Sequence, residues 1–223
     1  VLAHISDLHG DVRRFENYLE YIKALGGDVA AVTGDSVMKR ATDGSTYLRD
    51  AIIGLAGHSI LHCIGNHESW NVPSSAADRN AWLFEHHISP FADGYKATAS
   101  SDTTMPYYYK DFADKALRVI VLNQYDNGCY WGEGLGGRLG QTQVTWFCNT
   151  LLSTPAGYGV VVMMHSPETK IVTPQDMIAW NQTINFDGTN EDETGYAVNG
   201  LYCNSSRPIR IIIDAFISKT HLV

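Results

Sequence analysis

Four short stretches of the sequence carry the side chains best able to do chemistry: Asp7-x-His9, Gly34-Asp35, Gly65-Asn66-His67-Glu68 and, far downstream, His165. Carboxylates, imidazoles and an amide together suit divalent ions of intermediate softness, such as manganese, iron or zinc, better than calcium, which prefers oxygen throughout. A carboxylate has two oxygens and can bridge two cations, the usual way of holding a pair of metals ~3.5–4 Å apart. Each stretch alone has an ordinary explanation. An aspartate after a strand serves as a turn former or helix cap, and a histidine closing an apolar run serves as a hydrogen-bonded core residue. Their joint occurrence, each at the end of an apolar run, is harder to assign to packing.

The apolar pattern sets the elements that must position these residues. Residues 1–5 read as a short buried strand ending in Ser6-Asp7, and residues 13–25 carry Phe15, Tyr18, Leu19, Ile22 and Leu25 at helical spacing before Gly26-Gly27. Residues 29–33 and 59–64 read as two more strands, with a helix over 45–55 between them. This β-α-β-α-β alternation implies parallel strands with right-handed crossovers, and ligands of such sheets gather beyond the carboxyl ends of the strands. Asp35, on the middle strand, is then the natural bridge.

Further along, a helix carries Trp82, Leu83, His86 and Phe91, and residues 107–112 and 117–123 form a hairpin about Ala113-Asp114-Lys115. A glycine-rich loop over 124–140 precedes a helix over 141–152, and a buried strand over 159–164 delivers His165. Residues 166–207 lack periodicity and read as an excursion beside the site, with an acidic run over 187–193 as a solvated face. Residues 210–217, with the apolar triplet Ile211-Ile212-Ile213, read as a helix, with a strand as the alternative.

At 223 residues, 44% hydrophobic and 18% charged, the chain is expected to form one domain over residues 1–223, incomplete at both ends. No apolar run approaches the ~20 residues needed to span a bilayer. A net charge of −8 disfavours extended nucleic-acid binding, which needs clustered Lys and Arg; a deep site with its own cations remains compatible with a small phosphate ester. The four cysteines form no C-x-x-C pair and suggest core thiols. Compartment and oligomeric state are not legible, with a soluble cytoplasmic protein as the default expectation.

In series, D-x-H, G-D, G-N-H-E and the strand-end histidine resemble the calcineurin-like metallophosphoesterase superfamily, over residues 7–165. The resemblance implies an α/β fold, a four-layer α/β/β/α sandwich of two mixed sheets flanked by helices. It also implies a metal-dependent phosphohydrolase that cleaves phosphomonoester or phosphodiester bonds by attack of a metal-bound hydroxide at a dinuclear site. Asp7, His9 and Asp35 would hold one ion, Asp35, Asn66 and His165 the other, and His67 would donate a proton to the leaving group or a hydrogen bond to the transition state. Glu68 is expected to orient rather than to bind.

The family's terminal G-H-x-H does not occur in the chain, and His221, nearest its expected place, is a further candidate ligand. Met38 stands where purple acid phosphatases carry a tyrosine, and Ser36-Val37-Met38-Lys39-Arg40 departs from the V-D-R-G of phosphoprotein phosphatases. Two rivals follow: a non-catalytic protein-binding scaffold on the same fold, and a single-metal enzyme using Asp7, His9 and Asp35. His4, His62, His86 and His87 read as structural or exposed. Trp70, Trp131, Tyr107, Tyr108 and Tyr109 read as core or hairpin packing, with a substrate-pocket wall as the alternative.

Overall fold

A computed structural model describes residues 2–27, 29–36, 59–69, 76–88, 105–125 and 141–165. The expected helix over 45–55, Phe91, most of the loop over 124–140, everything from residue 166 onward, and Met38, Trp70, Trp131 and His221 lie outside these residues.

Strand β1 (Leu2–Ile5) leads into helix α1 (Val12–Ala24), which begins at Asp11, whose side chain accepts a hydrogen bond from Arg14 N at 2.9 Å. Phe15, Leu19 and Ile22 form its buried stripe. The helix ends as the sequence predicts. Gly26 takes φ +66°, and Gly27 N donates to Ile22 O at 2.8 Å, so the last carbonyls are satisfied. Strand β2 (Val29–Val32) then pairs in parallel with both β1 and β3 (Ser59–His62), which places β2 in the middle.

Helix α2 (Ala76–Leu83) covers the first part of the helix expected around Trp82 and runs into a π-helical turn, Phe84–Ile88, that buries His87 and Ile88. Strands β4 (Tyr108–Phe112) and β5 (Leu117–Val121) form the expected hairpin about the 3₁₀ turn Ala113–Lys115. Helix α3 (Gln141–Leu152) crosses over to β6 (Gly159–Met163), which pairs in parallel with β5. The second sheet is therefore mixed, while the described pairings of the first are all parallel.

Alternation along the two central strands sets the layering. Val29 and Ala31 of β2 join Leu61, Tyr108, Val119, Val121 and Met163 in a cluster between the sheets, whereas Ala30 and Val32 pack with Phe15, Leu19 and Ile22 of α1. Across the second sheet, Ile120 packs instead with Trp146, Phe147 and Leu151 of α3. Among the described elements, α1 packs on the first sheet and α3 on the second. No helix among them is long and apolar enough to cross a membrane.

One contact locks the sheets together near the site. The Tyr108 hydroxyl, buried in β4, accepts from His62 N at 2.9 Å and donates to His62 O at 3.0 Å. Tyr108→Phe removes both bonds inside a dry core, and an unfolding free energy lowered by about 1–3 kcal/mol is expected in urea melts.

Candidate metal centre

The carboxyl ends of β1, β2 and β3 and the residue two beyond β6 converge on one place. Past the strands the loops stay paired: His9 N donates to Asp35 O and Gly10 N to Ser36 O, both at 2.8 Å. Two glycines permit the approach. A Cβ on Gly34 would lie 2.7 Å from His165 Nδ1 and 2.8 Å from Gly65 Cα, and one on Gly65 would run into Asp35. The glycines of G-D and G-N-H-E are therefore the faces on which these loops touch.

Two groups of side chains there offer ligand atoms within 4.8 Å of one another: His9, Asp35 and His67, and Asp7, Asp35 and His165. Asp35 belongs to both. Its Oδ1 accepts from His67 N at 2.9 Å, and its Oδ2 lies 3.4 Å from His165 Nε2 and 3.8 Å from His67 Nε2. Asn66 joins the second group through Oδ1, 2.9 Å from His165 Nε2. Asp7 and His9 approach each other at 3.7 Å. The structure thus brings together Asp7, His9, Asp35, Asn66, His67 and His165. It groups His67 with His9, and Asp7 with His165, where the resemblance divides them otherwise.

The donor set fits divalent ions on two further counts. Asp7, His9 and Asp35 all hold left-handed backbone, with φ of 55°, 48° and 52°. Left-handed backbone recurring on three would-be ligands in one place is the clustering that functional sites show. The tautomer of His165 is also set, because Thr33 O, 2.8 Å from Nδ1, can only accept and so fixes a proton there. Nε2 faces Asp35 and Asn66. Burial opposes a charge on this ring, but the Asp35 carboxylate and the Thr33 carbonyl outweigh it and lift the pKa to about 8.

The sign of that shift gives an expected result for metal-free protein. A histidine raised from 6.5 to about 8 contributes stability that is fully present below pH 6.5 and lost as pH rises through 8. His165→Asn should remove this slope, worth about 1–2 kcal/mol, from chemical melts between pH 6 and 9.

Glu68 lies wholly buried below Asp35. Its Oε2 accepts from Asp35 N at 2.9 Å and Gly65 N at 2.8 Å, and its Oε1 from Ser36 N at 2.7 Å and Ser36 Oγ at 2.6 Å. Burial favours protonation, but the nearby imidazoles of His62 and His87 and the bonds from Ser36 and Gly65 prevail, holding the pKa at about 2. It ties the G-D turn to the G-N-H-E turn, the orienting role expected for it.

Sequence reasoning missed the other members of this network. His62, placed among the structural or exposed histidines, is buried with Nε2 2.8 Å from Ser36 Oγ. His87, also buried, stacks on it at 6.1 Å and 18°. Desolvation lowers both pKa values, that of His87 to about 3. The only available signal was a polar residue inside the apolar run of β3. Tyr107 and Tyr108 are core, as their default reading held.

A parallel βαβ half, a mixed second sheet, and strand-end carboxylates and imidazoles gathered around one shared aspartate form a site whose residues could hold divalent ions. The family model described as calcineurin-like phosphoesterase matches residues 1–191, and the chain belongs to that family. Among solved structures it resembles a dimetal phosphatase from Danio rerio, with a TM-score of 0.58 at 13% identity over 96% of this chain and 77% of that one. It also resembles a purple acid phosphatase from yellow lupin (Lupinus luteus) seeds, with a TM-score of 0.43 at 10% identity over 72% of this chain and 29% of that one. The first likeness is one of fold, and the second is too partial to add to it. No curated protein gives a match.

Proposed function

We propose that the protein hydrolyses a small phosphomonoester or phosphodiester at a dinuclear centre of manganese, iron or zinc, as a soluble domain on a four-layer α/β/β/α sandwich. The observation that carries this is the membership of Asp35 in both ligand-competent groups. By the family resemblance, Asp7, His9 and Asp35 would hold one ion and Asp35, Asn66 and His165 the other, with His221 as a further ligand. When bound, the two ions lower the pKa of water near neutrality and offset charge on the phosphoryl oxygens. The remaining chemistry belongs to the chain. His67, anchored through its backbone N–H on Asp35, would serve as the proton donor to the departing alkoxide. The Thr33 carbonyl keeps the His165 proton on Nδ1, leaving Nε2 as the ligand atom.

Metal analysis with turnover of mono-aryl and bis-aryl phosphates in manganese tests the reading. Two equivalents of metal with turnover is the expected result; two equivalents without turnover of any ester would favour the scaffold, and one equivalent a single-metal enzyme. His67→Ala separates acid from ligand. As an acid, its loss leaves metal content near wild type and lowers kcat on an alkyl ester by ~10²–10⁴-fold. A lost equivalent of metal would instead make His67 a ligand beside His9 and Asp35. An activated aryl ester is uninformative here, because a good leaving group needs no acid.

A further inference from the structure

A line of buried polar groups runs from Asp35 away from the would-be ligands to His62. The Glu68 carboxylate can only accept, so the single Ser36 hydroxyl proton lies on the 2.6 Å bond to Glu68 Oε1. Ser36 Oγ must then accept at its other contact, and His62 Nε2, 2.8 Å away, must carry the proton donated to it. The direction of every bond is fixed: His62 to Ser36, Ser36 to Glu68, and to Glu68 from the backbone N–H groups of Asp35 and Gly65.

His62 is itself held at three points. Tyr108 from the other sheet binds both its backbone groups, His87 lies against its ring at 6.1 Å, and Ser36 takes its proton. The π-helical turn Phe84–Ile88 is what carries His87 there, a local widening of the kind found next to working sites. A side chain needed only to fill space would be an aliphatic one, with no polar ring to desolvate.

We propose that His62 is a positioning residue for the metal centre, acting through Ser36 and Glu68 to fix the backbone that carries Asp35 and Gly65. The inference rests on the metal-binding reading above. The hydrogen bond from His62 leaves the Ser36 hydroxyl one orientation, aimed at Glu68. With it lost, Glu68 has fewer constraints on where it grips the two turns, and the shared carboxylate of Asp35 is less sharply placed.

The test is calorimetric titration of Mn²⁺ into metal-free wild type, His62→Leu, His62→Gln, Ser36→Ala and the Ser36→Ala/His62→Leu double variant, with a urea melt of each. His62→Leu and Ser36→Ala should each weaken binding by ~10–100-fold, and the double variant should be no weaker than the weaker single, since both interrupt one path. His62→Gln, which returns an N–H donor near the position of Nε2, should restore most of the affinity, an effect that loss of packing alone would not produce. Unchanged affinity in His62→Leu, no rescue by Gln, or additive losses in the double variant would overturn the proposal. If His62→Leu does not fold, Ser36→Ala against Ser36→Thr decides, because threonine keeps the hydroxyl. A wild type that takes up no Mn²⁺ would overturn the metal reading itself, a different outcome from equal binding by wild type and His62→Leu.

Discussion

Glu68→Ala should lower the unfolding free energy by roughly 3–5 kcal/mol, because it strands the N–H groups of Asp35, Ser36 and Gly65 in a site closed to water. Each unsatisfied buried donor contributes about 1–3 kcal/mol, and partial collapse of the turns recovers some of it. Glu68→Gln keeps the shape but turns an amide N–H₂ toward N–H donors, so a smaller but still substantial loss is expected. Urea melts of metal-free protein at neutral pH measure both. The acid limb supplies a second check with a definite sign. A carboxylate depressed from 4.5 to about 2 contributes stability that is present above pH 4.5 and lost as pH falls through 2, so the gap between wild type and Glu68→Gln should close over that window. A loss under ~1 kcal/mol in both variants would mean that the carboxylate is not the clasp between the two turns.

Asp35→Asn should be the most damaging change to activity. The amide keeps an oxygen for the 2.9 Å bond from His67 N, so the fold is expected to survive, but the negative charge common to both groups is gone. Retention of both ions should fail together, and kcat/KM should fall by at least ~10³-fold, about 4 kcal/mol of transition-state stabilisation. Asp7→Asn, which belongs to one group alone, should release one equivalent and leave the other. Metal analysis beside turnover distinguishes the two variants, and an Asp35→Asn protein that keeps two ions and wild-type rates would remove the bridging role.

The frame of the site was legible because its signals are local. Each apolar run ends within a few residues of its polar side chain, so the order of strands and the ends of α1, α3 and the hairpin follow from period and turn residues. The membership of Asp35 in both ligand-competent groups also has a local cause, since Asp35 follows the middle strand of the first sheet. What stayed hidden depends on partners distant in sequence. His165 reaches Thr33 across 132 residues, and the clasp of Glu68 on Asp35 spans 33. Spacing alone could not say that His67 lies beside His9, or that His62 would be drawn inward by Ser36. The π-helical turn under His87 had no sequence mark either, because helical periodicity does not reveal one extra residue per turn.

The left-handed backbone at Asp7, His9 and Asp35 has a consequence outside catalysis. Each such residue stores about 1–2 kcal/mol, a sum comparable with a sizeable part of a domain's net stability. Ions that bind only the folded chain return free energy in proportion to the logarithm of their concentration. Metal-free protein is therefore expected to be cut faster by an added protease than protein incubated with manganese, a difference that timed proteolysis with and without chelator measures.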